Sequence, residues 1–170
     1  MEKTVYKDKF LTIKERQVVV RGKSITMHSY LQEDVVVIIP LLKNGNLLME
    51  RQFRHGVDAY VLEFPAGLIE KGERRSFSAK RELEEETGYK ARRIKYLFSE
   101  FSSVATSKRM FHYFFASNLE RGKKKFDDTE IIETLELSPS RLMKMIAQNK
   151  IKDHKTITGI LYYNNFIKKG

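Results

Sequence analysis

Cysteine and tryptophan are absent from the 170 residues, and proline occurs only at Pro40, Pro65 and Pro139. Without cysteine there is no disulfide, no thiolate metal site and no cysteine nucleophile, which excludes thiol chemistry and the disulfide-stapled secreted scaffolds. No apolar run approaches the roughly 18 to 20 residues that span a bilayer. The opening MEKTVYKDKF carries charges where a secretion signal has its hydrophobic core. The expectation is a cytoplasmic protein. Internal repeats, low-complexity tracts and Pro/Gly/Ser-rich linkers are missing too, so one domain over residues 1–170 is expected. Acidic residues are in deficit, 22 against 32 basic, giving a net charge of +10. That excess favours an anionic partner, whether nucleic acid, an acidic membrane or a phosphorylated small molecule, without choosing among them. The basic runs at Arg121 to Lys125 and Lys168–Lys169 read as solvated loops or tails.

What is present is a succession of β-branched stretches followed by helical ones. Leu11 to Val20 and Ser24 to Leu31, separated by Arg21-Gly22-Lys23, read as a hairpin within an N-terminal antiparallel sheet covering residues 1–33. Val35 to Leu42 reads as a buried strand, and Asn44-Gly45 is a two-residue hairpin signal joining it to Asn46 to Phe53 as its antiparallel partner. Tyr60 to Phe64 is a further short strand. Arg75 to Thr87 holds neither Gly nor Pro and is rich in Glu, Lys, Arg, Leu and Ala, with Gly88 placed to cap its C-terminus, so it is predicted helical. Strands are expected at Arg93 to Glu100, Met110 to Ser117 and Ile131 to Leu137. Ser138-Pro139 then opens a helix to Asn149, and another runs from about His154 to Lys168. The pattern is α+β, a mixed sheet with helices against it.

On the predicted helix, Glu82, Glu85 and Glu86 fall within an arc of about 100° at ~100° per residue. Like charges at these spacings cost roughly 0.2–0.5 kcal/mol per pair, so the cluster is unfavourable for a helix that gains nothing from it. Two readings stand. The face is either simply solvated, or it holds a hard divalent cation such as Mg²⁺, which takes oxygen ligands and keeps positions for a substrate phosphate and an attacking water.

The wider spacing bears on that choice. Gly67, five residues, Glu73, seven residues, then Arg81-Glu82-Leu83, Glu85-Glu86 and Gly88 follow the Nudix box, with Tyr89 in place of the closing aliphatic residue. Gln52-Phe53-Arg54 and Glu63-Phe64-Pro65-Ala66-Gly67 precede it in the order seen in the ADP-ribose and nucleoside diphosphate sugar group. The chain resembles a Nudix hydrolase of that group. The resemblance implies an α/β/α sandwich with a mixed sheet plus an N-terminal antiparallel sheet, a catalytic loop-helix-loop at 67–89, and a homodimer.

It further implies that Glu82, Glu86 and the Ala66 carbonyl ligate Mg²⁺, with Mn²⁺ as the alternative, and that Glu85 ligates or orients the nucleophilic water. Arg81 would hold a neighbouring Glu, and Glu73 would be structural or an outer ligand. A general base is expected from beyond the box, with Glu130 the candidate and Asp128 and Glu133 in reserve. Arg51 and Arg54, whose guanidinium groups match phosphate oxygens, and Glu63 are the candidate substrate contacts. For Arg51 and Glu63, an ordinary cross-strand charge pair is the competing reading. The four histidines fit no ligand spacing and read as surface or satisfied residues. Ser103 to Ser107 lacks the proline of ADP-ribose hydrolases, which leaves nucleoside diphosphate sugars, with ADP-ribose included, as the expected substrate class. An RNA 5′-end pyrophosphohydrolase or an RNA-binding Nudix module is the alternative that the +10 charge suggests.

Overall fold

In the computed structural model, residues 2–122 and 132–168 are described. Among these residues ten strands fall into three sheets. The first is β1 (Glu2–Lys7), β2 (Thr12–Val20) and β3 (Lys23–Leu31), antiparallel throughout. Its β2–β3 turn places both Arg21 (φ 49°) and Gly22 (φ 75°) in the left-handed region, the geometry a tight hairpin requires. This hairpin was expected; β1 was not, because EKTVYK has too little alternation to stand out from a polar terminus. The sheet meets the rest of the chain at Tyr30, whose N–H donates to the Thr106 carbonyl at 2.8 Å.

The second sheet is ordered β10-β5-β6, built from β5 (Leu47–Arg54), β6 (Ala59–Glu63) and β10 (Ile132–Leu137). The third is ordered β7-β4-β9-β8, from β4 (Val35–Pro40), β7 (Ala66–Leu68), β8 (Tyr89–Phe101) and β9 (Met110–Arg121). It is a mixed sheet: β4 runs parallel to β9 and antiparallel to β7.

One expectation is corrected here. The Asn44-Gly45 turn forms, with Gly45 at φ 80° and the Leu42 N–H bonded to the Asn46 carbonyl, but β4 and β5 are not paired as a hairpin beyond a single bridge at Leu41–Leu47. Both edges of β4 are taken by β7 and β9, so β5 passes into the second sheet. Every residue of β4 is buried, which is the mark of a central strand covered on both faces.

That strand divides the core by parity. Val35, Val37 and Ile39 join Tyr113, Leu47, Met49, Leu142 and Ile160 on one side, whereas Val36 and Ile38 join Ala79, Leu83 and Ala116 on the other. Helix α1 (Arg75–Thr87) covers the second side with Ala79 and Leu83, one turn apart. It begins and ends where the sequence predicts. Gly88 closes it at φ 72°, its N–H bonded to the Glu84 carbonyl at 2.8 Å. Tyr89 packs into the same half of the core, so the departure at the last box position is accommodated.

Helices α2 (Pro139–Ala147) and α3 (His154–Tyr162) lie on the opposite side. Ser138 and Asp153 cap them, their side chains accepting from the Arg141 and Thr156 N–H groups. Beyond Tyr162 the last helix widens into a π-helical turn at Tyr163–Ile167. No helix among the described residues is long and apolar enough to cross a membrane.

Candidate active site

A cleft of about 1460 Å³ opens between β6, β7, the outward face of α1, the start of β9 and the segment leading into α3. Its walls differ in charge. Helix α1 contributes Glu82, Glu85 and Glu86 to one wall, beside Ala66 and Gly67 of β7.

Arg81 organises the acidic wall. Its Nη1 donates to Glu82 Oε1 at 2.7 Å and to Glu85 Oε2 at 3.1 Å, and its Nη2 donates to Glu73 Oε2 and to the Leu68 carbonyl. One guanidinium thus ties the start of the loop to two carboxylates of the helix. It also holds the Glu73 carboxyl well below its usual range, at about 2, assisted by the Ser78 hydroxyl at 2.7 Å. Glu73 is therefore a positioning group for Arg81 and is not itself among the residues lining the cleft. Glu86 is buried and accepts from the Ala66 N–H at 3.0 Å. This bond locks the β7 strand to the helix.

The glycine at the head of the box has a steric cause. A Cβ on Gly67 would stand 2.0 Å from Cδ of Glu82, closer than any real contact, so only glycine lets the carboxylate lie against the β7 backbone.

A second charged group lines the same cleft. Arg54 holds Glu63 through two parallel bonds of 2.8 and 2.9 Å, reaching diagonally from β5 to β6, where the register sets Arg54 opposite Ala59 and Glu63 opposite Glu50. Lys155, buried, also donates to Glu63 and bonds Asp153 at 2.9 Å. Glu63 itself is almost inaccessible, so both cations are needed to hold its charge away from water. Arg54 keeps Nη1 without a partner among the described residues while lining the cleft.

The expected site residues are therefore distributed as follows. Ala66, Glu82, Glu85, Glu86, Arg54 and Glu63 all line the cleft. Arg51 does not: odd positions of β5 face the other way, and its guanidinium lies over the Tyr60 ring at 4.3 Å and pairs with Glu133 at 3.3 Å. Glu133, a reserve base, is turned aside with it. Glu130 and Asp128 lie outside the described residues. His112 is satisfied in the interior, between Ser99 and Asp34. Lys150, Lys152, Asp153, Lys155 and Arg109 also line the cleft and were not read from the sequence. They carry no spacing motif and reach the site only because α3 and β9 fold against β4 and β6.

The acidic wall suits a hard divalent cation in donor type: Glu82, Glu85 and Glu86 bring three carboxylates to the cleft lining. Among the described residues no three of these groups stand in a ready ligand cluster, because Arg81 draws Glu82 and Glu85 to itself. The carboxylate oxygens gathered on one wall are the feature that fits a metal.

Comparison with known proteins follows the same lines. The NUDIX domain model matches residues 31–157. An ADP-ribose pyrophosphatase of Bacillus subtilis is 29% identical over 169 residues, covering 95% of this chain and 91% of its own. A GDP-mannose pyrophosphatase of Yersinia enterocolitica is 34% identical over 129 residues, 70% of this chain and 66% of its own. A solved structure described as an ADP compounds hydrolase superposes with a TM-score of 0.89 over 99% of this chain and 92% of that one, at 19% identity, so the α+β fold is shared.

Proposed function

The chain belongs to the NUDIX domain family and is a Nudix hydrolase, and on that premise we propose that it cleaves the pyrophosphate bond of nucleoside diphosphate sugars and ADP-ribose. The products are a nucleoside monophosphate and a sugar phosphate. The observation that carries this reading is the cleft itself, large enough for a nucleotide and lined by both a carboxylate wall centred on Arg81 and the Arg54 guanidinium.

Glu82, Glu86 and the Ala66 carbonyl would hold Mg²⁺, or Mn²⁺ in its place. Such an ion screens the diphosphate and lowers the pKa of bound water. Arg81 keeps the carboxylates on one wall, and Glu85 at its edge orients the attacking water. Arg54, fixed by Glu63, presents Nη1 to a non-bridging phosphate oxygen. Water adds to one phosphorus, the bridging P–O bond breaks with its electron pair on the departing phosphate, and the water proton passes to a carboxylate base. Glu130 is the proposed base. Arg51, turned away from the cleft, takes no part in this scheme.

We read the enzyme as a cytoplasmic homodimer. The N-terminal sheet supports the dimer: it exposes apolar side chains on both faces, Tyr6 and Val19 on one and Ile25 and Met27 on the other, area that a second copy would cover.

The test is metal-dependent product release from ADP-ribose, GDP-mannose, UDP-glucose, nucleoside triphosphates and 5′-triphosphorylated RNA. Turnover of the nucleotide sugars, abolished by EDTA and by Glu82→Gln, is expected. Activity confined to RNA would transfer the reading to 5′-end pyrophosphohydrolysis. Full turnover by Glu82→Gln would remove that residue from the metal role.

A further inference from the structure

Most charged groups in the cleft are already spoken for. Arg81 is bound to three carboxylates, and Arg54 and Lys155 to Glu63. Three cations that line it are not. Arg109, Lys150 and Lys152 make no ion pair among the described residues.

Arg109 is the telling one of these. It is half-buried, and burial pulls its guanidinium below the usual value, against a weaker pull from Asp34. Its Nε donates to the Glu33 carbonyl at 2.8 Å, and its two terminal nitrogens have no partner among the described residues. A guanidinium withdrawn from water without a carboxylate is unfavourable unless an anion meets it.

The backbone around it is firmly held. The Arg109 N–H donates to Ser107 Oγ at 3.1 Å, its carbonyl accepts from Ser102 at 2.9 Å, and the next N–H, of Met110, donates to Asp34 Oδ1 at 2.9 Å. Asp34 in turn lies 3.1 Å from His112 Nε2 through its other oxygen, and its carbonyl accepts from Ile69 of the catalytic loop at 3.0 Å. The segment Glu33–Asp34 thus joins Arg109 to the loop that carries the box.

The placement follows from sheet register. Leu68 of β7 and Phe111 of β9 are both paired with Val35 of β4, one on each side. Two strand spacings of about 4.8 Å put Leu68 of β7 and Phe111 of β9 roughly 10 Å apart, on either side of β4. Arg81 is fastened to Leu68, and Arg109 lies two residues before Phe111. A diphosphate in the cleft would have carboxylates on one side and Arg109 on the other.

We propose that Arg109, with Lys150 and Lys152 on the facing segment, forms an anion subsite that takes a phosphate of the substrate on the side remote from the carboxylate wall. This rests on the pyrophosphatase reading and adds to it a specificity-determining residue outside the box. The subsite selects substrates whose diphosphate keeps an uncompensated negative charge.

Binding of ADP-ribose to the full chain in EDTA is measured by calorimetry, which reads the subsite without turnover. Arg109→Met is expected to weaken binding roughly ten- to a hundredfold, as loss of a charge-assisted pair does. Arg109→Lys recovers part of it. The Lys150→Ala/Lys152→Ala double variant, on exposed positions that cannot disturb the fold through burial, weakens binding and flattens its salt dependence. With metal present, Arg109→Met raises KM with kcat largely kept.

Wild-type affinity in both Arg109→Met and the double lysine variant overturns the subsite, and so does a fall in kcat at constant KM. A wild-type protein that hydrolyses no nucleoside diphosphate compound overturns the functional reading instead. Inorganic pyrophosphate then serves as the probe: binding weakened by Arg109→Met upholds the subsite, and equal binding removes it.

Discussion

Replacing Gly67 by alanine isolates the catalytic geometry from the fold. The new Cβ would lie 2.0 Å from Glu82 Cδ and 2.2 and 2.3 Å from its oxygens. Ordinary carbon contacts are about 3.5–4.0 Å, so the carboxylate must withdraw by roughly 1.5 Å. It is the far end of a flexible side chain, and the Gly67 backbone is not in the left-handed region, so the chain itself tolerates the methyl group. The displacement therefore falls on the site. A misplacement of about 1 Å in a catalytic group costs on the order of a hundredfold in rate. Gly67→Ala is expected to lower turnover of a nucleotide sugar about a hundredfold and to raise the divalent-cation concentration needed for half activity, with a melting temperature close to wild type. The control is Gly159→Ala on α3, whose Cβ would meet the buried Phe64 ring at 2.8 Å. There the neighbour cannot yield, and overpacking is expected to cost about 1–3 kcal/mol of stability. Metal-titrated kinetics and thermal unfolding on both variants check this. If Gly67→Ala keeps full activity and an unchanged metal response, the close approach of Glu82 to β7 has no catalytic meaning.

Three further outcomes follow from particular contacts. Lys155→Met leaves the buried Glu63 with Arg54 alone, and denaturant unfolding should show a loss of about 2–3 kcal/mol, somewhat less than the cost of a wholly stranded charge. Glu73 has its carboxyl lowered from 4.5 to about 2 by Arg81, so its contribution to stability is complete above pH 4.5 and disappears as pH falls toward 2; the difference in melting temperature between wild type and Glu73→Gln should shrink over that window, and a constant difference would contradict the Arg81 assignment. Glu130→Gln should lower kcat more than a hundredfold with divalent-cation affinity unchanged, and a pH–rate profile that keeps its acidic limb in this variant would assign the base elsewhere.

Much of the carboxylate wall is legible in the chain because it is local. Residues 67–88 form one loop and one helix, so helical periodicity alone places Glu82, Glu85 and Glu86 together, and Gly88 marks the end that the structure confirms. The resemblance supplied roles for those positions, and a NUDIX match over 31–157 agrees with it. Arg54 and Glu63 were also named, but as substrate contacts; that they hold each other depends on a diagonal reach between β5 and β6, whose register sets Arg54 opposite Ala59 and Glu63 opposite Glu50.

The remainder required the tertiary structure, for a common reason. Side-chain parity along β5 sends Arg54 into the cleft and Arg51 to the opposite face, and nothing in Glu50-Arg51-Gln52-Phe53-Arg54 says which face is which. The Asn44-Gly45 turn was read correctly as a turn and wrongly as a hairpin, since a turn fixes chain reversal whereas the occupied edges of β4 decide pairing. Lys155 joins Glu63 from 92 residues away, and Arg109 reaches the cleft only through the parallel pairing of β9 with β4. By itself the sequence determined the helix, its carboxylates and the sign of the charge. The wall facing them depends on contacts between distant segments, which local propensity does not encode and only the packed sheets bring together.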